Sequence, residues 1–226
     1  VVPAIYPLTF AITADTSVKA NVNGTVVTGD KPVMSDATPV VSLALGAPAP
    51  SLRSNISASD TEDGNITGDI TVGGESVNTA MQGIYHVTYD VEDSDENTAV
   101  QVTRVYVVGA NVVQNNYAIF ANPFTKRVGE VDTSHSAIIL AAGAYGTNIQ
   151  TKQAAPLSVV ETSGYSNLPA TYPLTFAITA DTRVAANVFG TVVTGDKPVI
   201  QDSTPVVSLA LGAPAPSLRS NISAGD

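Results

Sequence analysis

The stretch GIYHVTYDV, Gly83–Val91, alternates without a break. Tyr85, Val87, Tyr89 and Val91 fall on one phase; Ile84, His86, Thr88 and Asp90 fall on the other. Period two over this length predicts a strand with its first set facing a core. The acidic Asp93–Asn97 segment then predicts a turn, and Ala99–Val108 a returning strand. The alternation slips near Thr103-Arg104, which predicts a β-bulge there.

Working outward toward the N-terminus, Asp60–Asp69 reads as a polar loop and Val40–Leu45 as a strand opened by Pro39. A proline cannot donate to a ladder, so it suits an edge or a strand start. Ser35–Pro39 reads as a short polar linker, and Thr28–Pro32 has turn chemistry. Before it, Tyr6, Leu8, Phe10 and Ile12 alternate with polar or small residues, and Val18, Ala20, Val22, Gly24 and Val26 form the inward set of a second strand. Ala14–Ser17 joins the two as a hairpin. Toward the C-terminus, Gly109–Asn116 reads as a second linker and Tyr117–Phe120 as a short strand. Ser136–Ala142 is the one helix candidate, with Asp132-Thr-Ser before it and Gly143 after it as a C-cap. Ile149–Val160 reads as one or two strands.

Tyr6–Asp60 returns, without a gap, as Tyr172–Asp226. Seven pairs differ: Ser17/Arg183, Lys19/Ala185, Asn23/Phe189, Met34/Ile200, Ser35/Gln201, Ala37/Ser203 and Ser59/Gly225. Within the hairpin all differences lie on the outward phase and the inward phase is identical, as in a kept core with a drifting surface. The offset is 172 − 6 = 166 residues, room for two small domains in alternation. The predicted organisation is all-β: tandem Ig-like β-sandwich domains strung end to end, with one short helix in the second domain type. Residues 1–34 are the C-terminal part of a second-type domain and 37–110 a complete Ig-like sandwich. Residues 111–202 are a complete second-type domain and 203–226 the first strands of the next Ig-like domain. On this reading the chain ends are the edges of a window on a longer array.

The net charge of −10 argues against nucleic acid as a partner, and ten Lys and Arg in 226 residues leave no basic patch for phosphate. Without Cys there is no disulfide or thiolate chemistry. No run reaches the roughly 18 apolar residues of a membrane span, so no membrane insertion is expected in this segment.

Ala58–Val72 and Gly83–Val108 resemble the bacterial Ig-like domain of the pesticidal-crystal-protein type, found in Gram-positive surface proteins. Asp60, Glu62, Asp63, Gly64, Ile66 and Thr67 match its acidic loop. Gly83, Tyr85, Val87, Tyr89, Val91, Asp93, Asn97 and Ala99 match its alternating strand and turn. Glu96 stands where that pattern usually has Gly, which predicts a wider turn. Tyr117–Val193 resembles a listerial-adhesin-type surface repeat through YAIFANPF, SAIILAAGA and the closing YPLTF hairpin. Both resemblances imply non-catalytic β modules on stalks at the bacterial cell surface, outside the cell.

No GxSxG, P-loop, GxGxxG or HExxH pattern is present, and neither His86 nor His135 has a partner pattern for nucleophilic catalysis. No enzyme activity is expected. The acidic residues are the richer signal. Asp60, Glu62 and Asp63 lie in one loop and Asp90, Asp93 and Asp95 at another, two loops that share a pole in an Ig-like sandwich. The incoming segment adds Asp30 and Asp36. Flexible carboxylates and carbonyls are what Ca²⁺ takes as ligands, so Asp60, Glu62, Asp63, Asp90, Asp93 and Asp95 are a candidate Ca²⁺ site at a domain junction. The alternative is a set of solvated acidic turns. Lys31 and Lys197 sit in turns beside Pro, a poor place for an isopeptide crosslink. Asn23, Asn55, Asn65 and Asn221 fit the short N-glycosylation pattern, which is frequent by chance.

The leading functional expectation is a structural repeat of an extracellular bacterial fibre, filament or adhesin stalk, with copies of itself or neighbouring repeats as partners. Phe189, outward on its strand, is the candidate interface residue. The alternative is an adhesive module that recognises a glycan or protein through exposed loops, with Tyr145, Tyr165 and Phe189 as contact aromatics.

Overall fold

The computed structural model describes residues 4–26, 29–195, 199–202 and 222–225. These fall into two compact units: residues 1–118 with 148–153, and residues 119–147 with 154–226.

The first unit opens with a hairpin of β1, Ala4–Ile12, and β2, Asp15–Val26. Its turn is tighter than the sequence suggests, because Asp15 already pairs with Ile12. Next come β3, Val33–Asp36; β4, Val40–Leu43; β5, Ile56–Asp60; and β6, Gly64–Asn65. They are followed by β7, Thr71–Gly74; β8, Gly83–Asp90; and β9, Val102–Val108. One sheet runs β3-β5-β6 and the other β4-β9-β8-β7. Ile56, Ala58, Ile66, Ile70, Val87, Tyr89, Val91, Ala99 and Tyr106 form the buried cluster of this unit. The inward phase of the opening stretch is the one that packs, with Tyr85 against its edge.

Three local expectations are corrected. The β8–β9 register runs unbroken from Gly83↔Val108 to Tyr89↔Val102, so there is no bulge at Thr103-Arg104. The slip in polarity arises because Arg104 is itself a core residue, buried on the same phase as Tyr106. The segment before residue 37 is not a plain linker, since β3 pairs antiparallel with β5 from Val33↔Ser59 to Asp36↔Ile56. Gly109–Asn116 holds a further strand, β10, Val112–Gln114, ahead of Asn115 and Asn116, both left-handed at φ 49° and 64°. Paired positive φ values suit a two-residue hairpin turn, and Asn tolerates them well.

The main segment of the first unit ends within β11, Tyr117–Phe120; the second unit holds β12, Phe124–Arg127, and the single α-helix among the described residues, α1, His135–Ala141. The helix starts one residue before the expected Ser136, with Ser134 as its cap and Ser134 Oγ accepting from Ala137 N. It ends at left-handed Gly143 (φ 54°), where Ala144 N donates to Ile139 O and Gly143 N to Leu140 O. That is a Schellman closure. The remaining strands are β13, Tyr145–Asn148; β14, Ala154–Ala155; β15, Leu157–Glu161; β16, Ala170–Ile178; and β17, Asp181–Val193. Beyond them, β18, Val199–Asp202, pairs with β19, Ile222–Gly225. Residues 203–221, which carry most of the expected next domain, lie outside the described residues.

The sheet β12-β17-β16-β15 frames the second copy of the hairpin. Tyr172, Leu174, Phe176 and Ile178 on β16 and Val184, Ala186, Val188 and Val192 on β17 are buried, the phase expected from alternation. The registers of the two copies coincide at the offset of 166: Leu8↔Val22 matches Leu174↔Val188, and Ile12↔Asp15 matches Ile178↔Asp181. β18–β19 repeats the β3–β5 register, Val199↔Gly225 against Val33↔Ser59.

Candidate functional site

The expected meeting of two acidic loops is present. Asp63 accepts from Ser94 twice, Oδ2 from the backbone N at 2.7 Å and Oδ1 from Oγ at 2.8 Å. This ties the loop after β5 to the turn after β8. Asp60 Oδ1 accepts from Glu62 N at 2.8 Å and Asp63 N at 3.1 Å, which folds that loop as an Asx turn and holds the Asp60 carboxyl below its usual range. Local desolvation, and the negative Asp60 beside it, push Glu62 up. Asp93 closes the other turn: Oδ1 accepts from Asp95 N at 2.9 Å and Asn97 N at 2.7 Å, and Oδ2 from Asn97 Nδ2 at 2.8 Å. Asp30 reaches the pole, where Thr61 Oγ1 donates to its Oδ2 at 3.4 Å. Asp90 points elsewhere, to Gln101 Nε2.

Two adjoining clefts, of about 310 and 430 Å³, share Asp69 and Glu92 and carry Asp63, Asp90 and Asp93 in their walls. Among the described residues no group of three or more His, Cys, Asp or Glu side chains is arranged to hold a metal ion. One oxygen of the pole, Asp60 Oδ2, is shielded from solvent with no hydrogen-bond partner.

Glu96 has φ 65°, the left-handed conformation that glycine adopts without strain. The expected widening of the turn is not seen: Glu96 holds this left-handed backbone shape, and Glu96 N donates to Asp93 O at 3.3 Å.

Asp36, expected at the acidic pole, is instead inside the sandwich. Its carboxylate takes Arg104 Nη2 on Oδ1 at 2.6 Å and Arg104 Nε on Oδ2 at 2.9 Å, with both side chains nearly solvent-free. Arg104 Nη1 also donates to Leu52 O at 3.1 Å, and the guanidinium carbon lies 5.2 Å from the Tyr89 ring centroid. Tyr89 OH donates to the same carbonyl at 2.6 Å, and burial drives its phenol strongly up. For Asp36, burial pushes the carboxyl up, but the Arg104 and Thr38 hydrogen bonds outweigh it and the net shift is downward. The ion pair joins β3 of one sheet to β9 of the other. Its signal in the sequence was the polarity slip at Arg104.

The aromatics divide. Phe189 is 55% exposed on the outward face of β17, as expected. Tyr145 is partly exposed and stacks on Phe120 at 4.7 Å. Tyr165 is buried, edge-on to Phe124 and Tyr172, so it is a packing residue. It floors a cleft of about 230 Å³ with Lys126, Glu130, Asp132 and exposed Leu140. His135 is the first residue of α1, and His86 Nε2 lies 2.7 Å from Ile149 O. Lys152 and Glu75 form an exposed ion pair in the same unit. No helix among the described residues is long and apolar enough to cross a membrane.

Two packed antiparallel-rich sheets with acidic turns gathered at one pole define an Ig-like β-sandwich module. More particularly, residues 53–108 match the family described as bacterial surface protein, Ig-like domain. No curated protein matches the chain in sequence. Among solved structures, the chain is similar to the CBM51-2 and INT domains of ZmpB from Clostridium perfringens, at 30% identity over 30% of this chain and 15% of that one, TM-score 0.27. A second ZmpB structure, with GlcNAc bound to CBM51-2, aligns at 18% identity over 60% of this chain and 30% of that one, TM-score 0.31. A lipoprotein of Bacteroides thetaiotaomicron aligns at 13% identity over 69% of this chain and 97% of that one, TM-score 0.34. The chain thus spans less than a third of either ZmpB structure.

Proposed function

We propose that this chain is a structural stretch of an extracellular bacterial surface fibre or stalk, built from two alternating β modules in tandem and without catalytic activity. The observation that carries the reading is the hairpin that recurs after 166 residues with the same inward side chains and the same strand register. The bacterial surface Ig-like match at residues 53–108 supports the location. Chains of one, two and three 166-residue units, measured by small-angle scattering, test it. The maximum dimension should grow in near-equal steps; a compact particle would count against a stalk.

Calcium belongs to this proposal as a stiffening ion at the acidic pole. Asp60 Oδ2 is the orphan oxygen it would satisfy, and Glu62, Asp63, Asp93 and Asp95 would have to gather around it on binding. An ion selective for the native state raises its melting temperature. A Tm unchanged between chelator and millimolar Ca²⁺ would remove the ion from the proposal. The adhesive alternative draws on exposed Phe189 and the cleft beside Leu140, whose 230 Å³ is below the roughly 300–1,000 Å³ of most ligand pockets. Binding on a glycan array above background, lost on Phe189→Ala, would favour it.

A further inference from the structure

The two copies of the hairpin carry one sequence pattern in two environments. On β16–β17, Leu174, Phe176, Ile178 and Val184 are wholly buried. Their twins on β1–β2 are open: Leu8 is 45% exposed, Phe10 60%, Ile12 56% and Val18 50%. The edges differ in the same way. β15 pairs with β16 through Leu157↔Ile178 and Val159↔Phe176, and β12 pairs parallel with β17 through Phe124↔Gly190. β1 and β2 form a sheet of two strands, so among the described residues the matching edges at Phe10–Ile12 and Gly24 carry no neighbouring strand.

Gly190 explains what the open edge is shaped for. A Cβ there would stand 2.9 Å from Phe124 Cζ and 3.0 Å from Leu174 Cδ1, so the glycine is the seat of the Phe124 ring. Gly24 is the same position in the first copy, although its neighbour has changed from Phe189 to Asn23. The seat is kept where the outward surface has drifted.

We propose that the apolar face of β1–β2 is a docking surface for a polypeptide segment of the Phe124–Glu161 kind, supplied by another repeat of the same type. This rests on the repeat reading above. The occupant has to be a further copy, because the segment present here is already engaged with β16–β17. It would add a parallel strand at Gly24, seat its Phe ring there, and add an antiparallel strand at Phe10–Ile12. The physical module of the array would then run across the sequence repeat, each hairpin being completed by the residues that precede it.

The test is amide hydrogen exchange on two chains: the 226-residue chain, and the same chain with a copy of residues 111–166 joined before Val1. Residues 170–193 serve as the reference within each molecule. Alone, amides of β1–β2 should exchange faster than those of β16–β17 by a factor on the order of a hundred or more. With the extension they should slow to the rate of β16–β17. Gly24→Val in the extended chain should abolish that slowing and leave β16–β17 unchanged. Fast exchange of β1–β2 in the extended chain overturns the proposal. So does protection in the unextended chain, whether from a dimer seen by sedimentation, which would mean hairpins packing face to face, or from a monomer. The scattering series can fail while this exchange result stands, so the two readings are separable.

Discussion

Replacing Asp36 by Asn is the most informative single perturbation of the Ig-like unit. The side chain keeps its shape and loses its charge, while Arg104 stays 1% exposed. Two charge-assisted hydrogen bonds, at 2.6 and 2.9 Å, lose their anion. The cation retains Leu52 O at 3.1 Å and the Tyr89 ring at 5.2 Å. Breaking a buried pair by removing one partner costs about 3–5 kcal/mol. The amide oxygen of Asn can still accept one bond, which places the expectation near the lower end, about 3 kcal/mol. At about 1.4 kcal/mol per factor of ten, the folded-to-unfolded ratio drops roughly a hundredfold. Removing both charges together, as Asp36→Leu with Arg104→Met, should cost far less than the two single changes summed, since buried pairs often yield to apolar residues at little cost. The pair also sets an acid limit. Asp36 is held below its unfolded value of about 3.9, so its contribution is full above that pH and fades as pH falls through the lower folded value. The Asn variant should lack this part of the acid sensitivity. Native-state exchange on β8 and β9, with β16 and β17 as reference, reads out each case. A cost below about 1 kcal/mol, or additive single changes, would show that Arg104 is solvated in solution and would refute the inter-sheet pair.

Three other outcomes follow from particular contacts. Glu96→Gly should stabilise the first unit by about 0.5–1 kcal/mol, because a left-handed residue at φ 65° sheds strain; denaturant midpoints measure it. Phe176→Ala should cost about 3–5 kcal/mol in the second unit, whereas Phe10→Ala, the same change in the exposed twin, should cost under about 0.5 kcal/mol in the unextended chain; exchange across β16–β17 and β1–β2 separates the two. Ser134→Ala removes the acceptor for Ala137 N and should cost about 1 kcal/mol, seen as faster exchange through α1.

Strand alternation was legible because burial is its cause. The phase Tyr85, Val87, Tyr89 faces the core as read, and so does Tyr172, Leu174, Phe176. The α1 boundaries were legible for an equally local reason, a serine cap and a glycine whose left-handed φ ends the helix. What alternation could not convey is that a charge can be a core residue. Arg104 sits on the inward phase, but a pattern that scores it as polar reports a slip, and a bulge is then the economical explanation. Its partner Asp36 lies 68 residues away, so only the assembled sandwich brings them together. The same limit made Asp36 look like a pole residue, since sequence proximity to Asp30 says nothing about which way a strand turns its side chain. The acidic pole shows the converse case. The two loops do meet, through Asp63 and Ser94, but composition alone gave no sign that Asp60 and Asp93 spend acceptors on their own turns. Comparing the two hairpins supplies what neither sequence nor structure offers singly. The inward phase is identical in the two copies, yet Leu8, Phe10, Ile12 and Val18 are open where Leu174, Phe176, Ile178 and Val184 are buried, and that contrast is the ground for the proposed docking of another repeat.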